Sequence, residues 1–69
     1  MEHELAGMLN AFLAGLSAEE RDVFVCRYFF LLPVAEICGK FGCSGSKIKS
    51  MLFRTRKKLA VYLKKEGLI

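Results

Sequence analysis

The residues of this chain best suited to chemistry are the basic and small polar ones that follow position 44. If residues 45–65 form a helix, the side opposite its apolar stripe carries Ser46, Lys49, Ser50, Phe53, Arg54 and Lys57. Lys47 and Lys58 fall nearer the edges of that side. Small residues at the start of such a helix allow it to approach base edges, and basic residues further along can meet phosphates. The pattern therefore predicts a face that binds a nucleic-acid duplex.

A turn at residues 42–44 must position this helix. Gly42 can adopt a positive φ without a Cβ clash and can therefore end a helix. Ser44 can accept hydrogen bonds from the free N–H groups of the next helix. A short helix from Pro33, this turn and the long basic helix have the order of a helix-turn-helix, in which the second helix enters the major groove of DNA.

Charge is divided unevenly along the chain. Residues 1–39 hold six acids and two arginines, a net charge of −4, whereas residues 40–69 hold nine basic residues and one acid, a net charge of +8. Positive charge gathered on one helix suits a polyanionic partner, although a lysine-rich solvated face is common by itself. The turn ahead of the basic helix favours the nucleic-acid interpretation.

Four helices and no strand are the simplest interpretation of the chain. The predicted fold class is all-α: a small four-helix domain, residues 1–69, that contains a helix-turn-helix and ends in a long recognition helix. The helices are expected at about residues 4–14, 17–29, 33–41 and 45–65. Ser17 and Glu20 have the spacing of a capping box, and Pro33 suits the first turn of the third helix.

Helical spacing also predicts which side chains face the core. The expected core residues, in chain order, are Leu5, Met8, Leu9, Phe12, Leu16, Val23, Phe24, Tyr28, Ala35, Cys38, Phe41, Ile48, Leu52, Thr55, Leu59 and Tyr62, with Ile37 flanking the stripe of the third helix.

Several function classes lack support in the sequence. No Ser/His/Asp set, carboxylate pair in an apolar setting or GxxxxGK[ST] loop occurs, so we expect neither an enzyme nor a cofactor. Cys26, Cys38 and Cys43 have no CxxC spacing and His3 is distant, so we expect no metal site, and Cys43 is the one cysteine placed to be reactive. No apolar run reaches the ~18 residues of a membrane span, and the N-terminus has no basic signal-peptide region. We therefore expect a cytoplasmic location and no membrane partner.

Four segments in this order resemble region four of bacterial RNA polymerase sigma factors of the sigma-seventy family, nearest to the extracytoplasmic-function group. The segments are residues 16–28 (LSAEERDVFVCRY), 34–37 (VAEI), 41–44 (FGCS) and 48–56 (IKSMLFRTR). The resemblance implies a domain that binds the minus-thirty-five promoter element in the major groove and docks on the flap of the polymerase β subunit. An anti-sigma protein is a further candidate partner.

The resemblance also implies roles for individual residues. Lys49 and Arg54 would reach a phosphate or a guanine edge, Ser50 a base edge, and Phe53 a thymine methyl or a sugar. The full set of candidate DNA-binding residues is Arg27, Ser44, Ser46, Lys47, Lys49, Ser50, Phe53, Arg54, Arg56 and Lys57. The structural alternatives are solvated lysines, Phe53 in a helix–helix or dimer contact, and Arg27 in a salt bridge to Asp22 or Glu20.

The chain departs from the family pattern at several positions. Leu31 and Pro33 stand where the family usually has a glycine and a capping residue, which predicts a stiffer and more apolar connection. Met51 stands where an arginine is common, which predicts one phosphate contact fewer, and Gly45 softens the first turn of the last helix. Because nothing here supplies region two, we expect either a fragment of a longer sigma factor or a free-standing regulator.

Three other interpretations remain open at this stage. A LuxR-type output domain has a similar helix-turn-helix but fits the Arg-Tyr pair at 27–28 and the basic tail less well. A helical protein-interaction module without DNA binding would use the apolar residues 29–32 and Val61. A basic amphipathic helix on an anionic membrane is weaker, because the stripe from Ile48 to Tyr62 is needed to close a core.

Overall fold

The computed structural model describes residues 2–69, with side chains from residue 5 onward. It contains the helices α1 (Glu2–Ala14), α2 (Ala18–Tyr28), α3 (Val34–Phe41) and α4 (Gly45–Lys65), joined by short connections. Within this part of the chain there is no strand. The prediction of an all-α, four-helix domain with a long last helix is confirmed.

The core lies between α2, α3 and α4. It is formed by the buried side chains of Val23, Cys26, Ile37, Ile48, Met51 and Leu52. Burying an aliphatic side chain of this size stabilises the fold by roughly 1.5–3 kcal/mol. Since α4 contributes half of these residues, the buried seam fixes which side of α4 is left facing solvent.

The first helix is attached outside this core. Phe12 is the buried residue of α1 among its described side chains, and its ring meets the edge of the Phe24 ring at 6.4 Å between centroids. Tyr62 of α4 also lies against Phe12, at 5.5 Å between ring centroids. Leu5, predicted to face the core, is half exposed, because α1 is held near its C-terminal end.

The buried stripe of α3 differs from the predicted one. Ala35 is exposed, whereas Ile37 is completely buried. Val34, Cys38 and Phe41 pack around the core beside Ile37. These four positions recur at three- and four-residue steps, so the stripe begins one residue earlier than expected and faces both α2 and α4.

Two further expectations about the core are wrong. Met51 is buried with the core residues, because α2 and α3 together cover a broader sector of α4 than a single stripe. Position 51 therefore points away from the solvent side, and the expectation of one phosphate contact fewer there stays a prediction. Tyr28 is 41% exposed, since it lies at the end of α2, although its ring still stacks on Phe24 at 4.8 Å.

The predicted helix caps are present. The Glu20 N–H donates to Ser17 Oγ at 3.2 Å and the Ser17 N–H donates to Glu20 Oε1 at 3.4 Å, which is a complete capping box. Gly42 has φ of 65° and ends α3. Ser44 Oγ accepts a hydrogen bond from the Lys47 N–H at 3.2 Å and begins α4. The sharp α3–α4 turn is therefore satisfied by its own residues.

The α2–α3 connection is built differently. Leu31 has φ of 56°, in the left-handed region that disfavours residues with a Cβ. The Leu32 N–H donates to the Cys26 carbonyl at 3.0 Å, which folds the connection back against α2. Pro33 occupies the N-cap of α3, with φ of −67° and ψ of 153°, one position earlier than predicted.

Candidate nucleic-acid interface

The N-terminal end of α4 presents small polar residues to solvent. Ser44 caps the helix, and Ser46 and Lys47 are exposed in its first turn. Ile48 follows as a completely buried residue, so its packing anchors this end of the helix. The backbone at the start of α4 can therefore approach a flat partner without a large side chain intervening.

A shallow cleft lies on the outer side of α4. Its volume is about 440 Å³, and it is lined by Lys49, Ser50, Phe53, Arg54 and Arg56. All five residues are exposed, whereas Thr55 in the same segment is buried and donates from Oγ1 to the Met51 carbonyl at 2.9 Å. The structure thus brings together, on one solvent-facing surface, five of the residues singled out from the sequence.

Phe53 is the large apolar residue at this surface. It is 52% exposed, so no helix–helix contact covers it. Lys57 Nζ lies 5.0 Å from the centroid of the Phe53 ring, a cation–π contact that at exposed sites is worth about 0.5–1 kcal/mol. The ring is therefore restrained beside a positive charge while half of its surface stays open.

One flank of the cleft is neutralised by the start of α2. Lys58 Nζ lies 2.8 Å from Glu20 Oε2, and Lys47 Nζ lies 3.9 Å from Glu19 Oε1. Hydrogen bonds from Lys58 and from Ser17 hold the pKa of Glu20 below its ordinary value. These pairs place a carboxylate of α2 beside each of the two lysines, Lys47 and Lys58. The attraction of these lysines for a polyanion is reduced as a result.

Other basic residues on the outer side of α4 have no ion pair of this kind. Within residues 5–69, Lys49, Arg54 and Lys57 form no ion pair. Their charge is directed to solvent, where a phosphate or a guanine edge could accept their hydrogen bonds. Of the predicted basic residues on α4, these three and Arg56 are therefore the ones without an ionic partner among residues 5–69.

Arg56 forms the edge of the cleft on the side of the α2 C-terminus. Its Nη1 donates to the hydroxyl oxygen of Tyr28 at 2.7 Å. This contact joins residues 28 positions apart, and no helical periodicity signals it. The ion pair between Lys58 and Glu20, residues 38 positions apart, was likewise absent from the sequence prediction. Both contacts depend on how α2 crosses α4.

Arg27 lies outside the cleft. It is half-buried, and its Nη1 donates to the Leu32 carbonyl at 3.1 Å, which ties α2 to the connection before α3. The expected alternative of a salt bridge to Asp22 or Glu20 is wrong: Asp22 pairs with Arg21 at 3.2 Å and Glu20 pairs with Lys58. A contact between Arg27 and DNA stays a prediction.

A second surface is apolar. A groove of about 330 Å³ is lined by Leu9, Phe24, Tyr28, Phe29, Arg56 and Leu59. The α2–α3 connection, which follows Phe29 in the chain, adds exposed apolar side chains, since Phe30 is 68% and Leu31 75% exposed. This apolar groove and the cleft share Arg56, so the two surfaces meet at one residue.

The described part of the chain offers no support for a metal site or for a membrane-spanning helix. The three cysteines are free, and among residues 5–69 no three potential ligands approach one another closely enough to hold a metal ion. None of the described helices combines the length and apolarity needed to cross a bilayer.

Comparison with known proteins gives one finding. A family model described as Sigma-70, region 4 matches residues 6–59, which is most of the chain. No curated protein and no solved structure matches the chain significantly.

Proposed function

Because the chain belongs to the sigma-70 region 4 family, we propose that it recognises the minus-thirty-five element of a promoter through the outer side of α4. The resemblance identified from the motifs is confirmed for the family, and the extracytoplasmic-function group stays a prediction. The family recognises promoter DNA and interacts with RNA polymerase. The observation that carries the proposal is the cleft, in which cations without an internal partner stand beside Ser50 and the half-exposed Phe53.

The residues of the cleft suit distinct parts of a DNA duplex. Arg54 can bond a guanine edge in two places or clamp a phosphate, since its guanidinium carries donors in a fork. Lys49 and Lys57 suit phosphates as point charges. Ser50 can donate to or accept from a base edge, and the Phe53 ring can contact a thymine methyl. At the start of α4, the small side chains of Ser44 and Ser46 allow the backbone to come near the groove.

For the polymerase contact we propose that the flap of the β subunit binds in the apolar groove. The groove offers aromatic and aliphatic surface from three helices, and exposed apolar patches on small domains commonly mark protein–protein contacts. An anti-sigma protein would compete for the same surface. The chain acts by binding alone in this proposal, without catalysis, and it acts where bacterial RNA polymerase does, in the cytoplasm.

A pure protein-interaction module is the second candidate, and the exposed Phe29, Phe30 and Leu31 are the observation that favours it. The two candidates differ in their response to salt. Phosphate contacts predict that log K falls linearly with log salt, by about 0.9 per neutralised phosphate, whereas an apolar surface predicts little change. Four cations on the outer side of α4 (Lys49, Arg54, Arg56 and Lys57) therefore predict a slope of up to about −3.6.

The decisive experiment compares two arginine substitutions. Duplexes are enriched from a randomised pool by the wild-type chain, and their affinity is then measured by fluorescence anisotropy over a salt series that begins at low salt. Arg54→Ala should weaken binding by about 1–3 kcal/mol and relax base preference, because one charged contact is lost. Its thermal midpoint should hardly change, since Arg54 is exposed and has no ion pair among residues 5–69.

Arg21→Ala is the matched control. It removes the same charge from the chain, but from an exposed position on α2 where Arg21 pairs with Asp22. Equal losses of affinity in both variants would mean that the loss reflects net charge rather than a contact made by Arg54. A lower thermal midpoint with unaltered affinity would give Arg54 a structural role and contradict the proposal.

A further inference from the structure

The hydroxyl of Tyr28 lies where the apolar groove meets the cleft. It accepts a hydrogen bond from Arg56 Nη1 at 2.7 Å, and both residues line the apolar groove. Arg56 also lines the cleft, beside Lys49 and Phe53. One hydroxyl on α2 therefore contacts a basic residue on α4 that borders both surfaces.

Contacts with α1 and within α2 also help to set the position of this hydroxyl. The Tyr28 ring stacks on Phe24 at 4.8 Å, and Phe24, which is buried, meets Phe12 of α1. The tyrosine is thus the last of three rings in consecutive contact, a series that begins with Phe12 on α1. A rigid ring that ends in a polar atom is a suitable support for a long and otherwise mobile side chain.

Arg56 gains from such a support. An arginine side chain loses rotamer entropy when it becomes fixed, and part of that loss is already incurred when the free protein holds it. Its guanidinium has five N–H donors, and the contact with Tyr28 uses one nitrogen. Donors remain for two parallel hydrogen bonds to a phosphate.

We propose that Tyr28 is a positioning residue, which holds the Arg56 guanidinium at the edge of the cleft so that it meets a DNA phosphate. The proposal rests on the proposed function, since it requires a duplex on the outer side of α4. It adds a residue of α2 that touches no base and acts through its neighbour.

The test removes one oxygen atom. Tyr28→Phe keeps the ring against Phe24 and deletes the hydrogen bond to Arg56. The probe is a duplex of fixed, mixed sequence, because phosphate contacts carry no sequence information. We expect affinity at low salt to fall about threefold to tenfold. The salt slope should become shallower by up to about 0.9, the equivalent of one phosphate contact.

A double-mutant cycle separates positioning from folding. Arg56→Ala should reproduce the shallower slope, and Tyr28→Phe should have no further effect in that background. Tyr62→Phe is the matched control, because Tyr62 also stacks in the aromatic group while its hydroxyl forms no hydrogen bond within residues 5–69. It should leave both affinity and slope unchanged.

The contrary outcomes are distinct from one another. Unchanged slope in Tyr28→Phe with a shallower slope in Arg56→Ala would overturn the positioning role and leave the proposed function standing. Additive losses in the cycle would also overturn it, because the two residues would then act independently. Weak, salt-independent binding by the wild-type chain would instead contradict the proposed function itself, and the positioning role with it.

Discussion

Each of the two connections that flank α3 contains one residue with a left-handed backbone conformation. That residue is a glycine in the connection after α3 and a leucine in the connection before it. After α3, Gly42 adopts φ of 65°, and Ser44 caps the next helix. Before α3, Leu31 adopts φ of 56° and is 75% exposed. The α3–α4 turn is therefore relaxed and polar, whereas the α2–α3 connection is strained and apolar.

The difference shows what each connection is suited to do. A glycine carries no Cβ penalty in this region, so the α3–α4 turn can be short and fixed by its own hydrogen bonds. A leucine there costs about 1–2 kcal/mol and persists only where its surroundings determine the backbone. At Leu31 those surroundings are the Leu32 N–H bond to the Cys26 carbonyl and the Arg27 bond to the Leu32 carbonyl. The exposed leucine is thereby held toward solvent.

The largest effect should come from Arg27. Arg27→Ala deletes a hydrogen bond from a charged donor and leaves the Leu32 carbonyl without that partner, so we expect the free energy of unfolding to fall by about 1.5–3 kcal/mol. Urea denaturation measures this. DNA affinity, extrapolated to the fully folded protein, tests the predicted contact between Arg27 and DNA separately. A loss of affinity with stability intact would favour that contact and contradict the structural role.

A smaller effect is expected at the polar turn. Gly42→Ala places a Cβ at φ of 65° and should lower the free energy of unfolding by about 1–2 kcal/mol, although no atom lies within 4 Å of that Cβ. Strain rather than a clash is therefore the cause. Because the turn orients α4, the variant should also bind duplex DNA more weakly in the anisotropy assay. Wild-type stability in this variant would mean that the turn relaxes easily.

The smallest expected change is a gain in stability at Leu31. Leu31→Gly removes the strain of the left-handed conformation, and the greater freedom of glycine in the unfolded chain offsets part of that gain. We expect a net stabilisation of about 0.5–1 kcal/mol with DNA affinity unchanged. Leu31→Ala is the control, since it shortens the exposed side chain and keeps the Cβ. Equal free energies of unfolding for Leu31→Gly and Leu31→Ala would show that the left-handed conformation at position 31 has no measurable cost.

The sequence predicted what depends on neighbouring residues. The capping box at Ser17 and the cap at Ser44 are confirmed, because each is a contact between residues three positions apart. The solvent side of α4 was also predicted, since the buried Ile48, Leu52 and Thr55 recur at steps of four and three.

What the sequence missed depends on how the helices cross. Met51 is buried because two helices cover α4, and periodicity within α4 alone cannot show this. The Arg56–Tyr28 and Lys58–Glu20 contacts join distant positions, so they also appear only once α2 lies across α4. The basic residues of α4 therefore divide into internally engaged and solvent-directed sets that composition does not distinguish.

The attachment of α1 through Phe12 has a consequence for how this small protein opens. A helix held mainly by one buried ring can detach at a lower free energy than the rest of the molecule unfolds, so its amides should exchange with deuterium first. Leu9 of α1 lines the apolar groove together with Phe29 and Leu59. Detachment of α1 would therefore withdraw one side chain from the lining of this groove while α2, α3 and α4 stay folded.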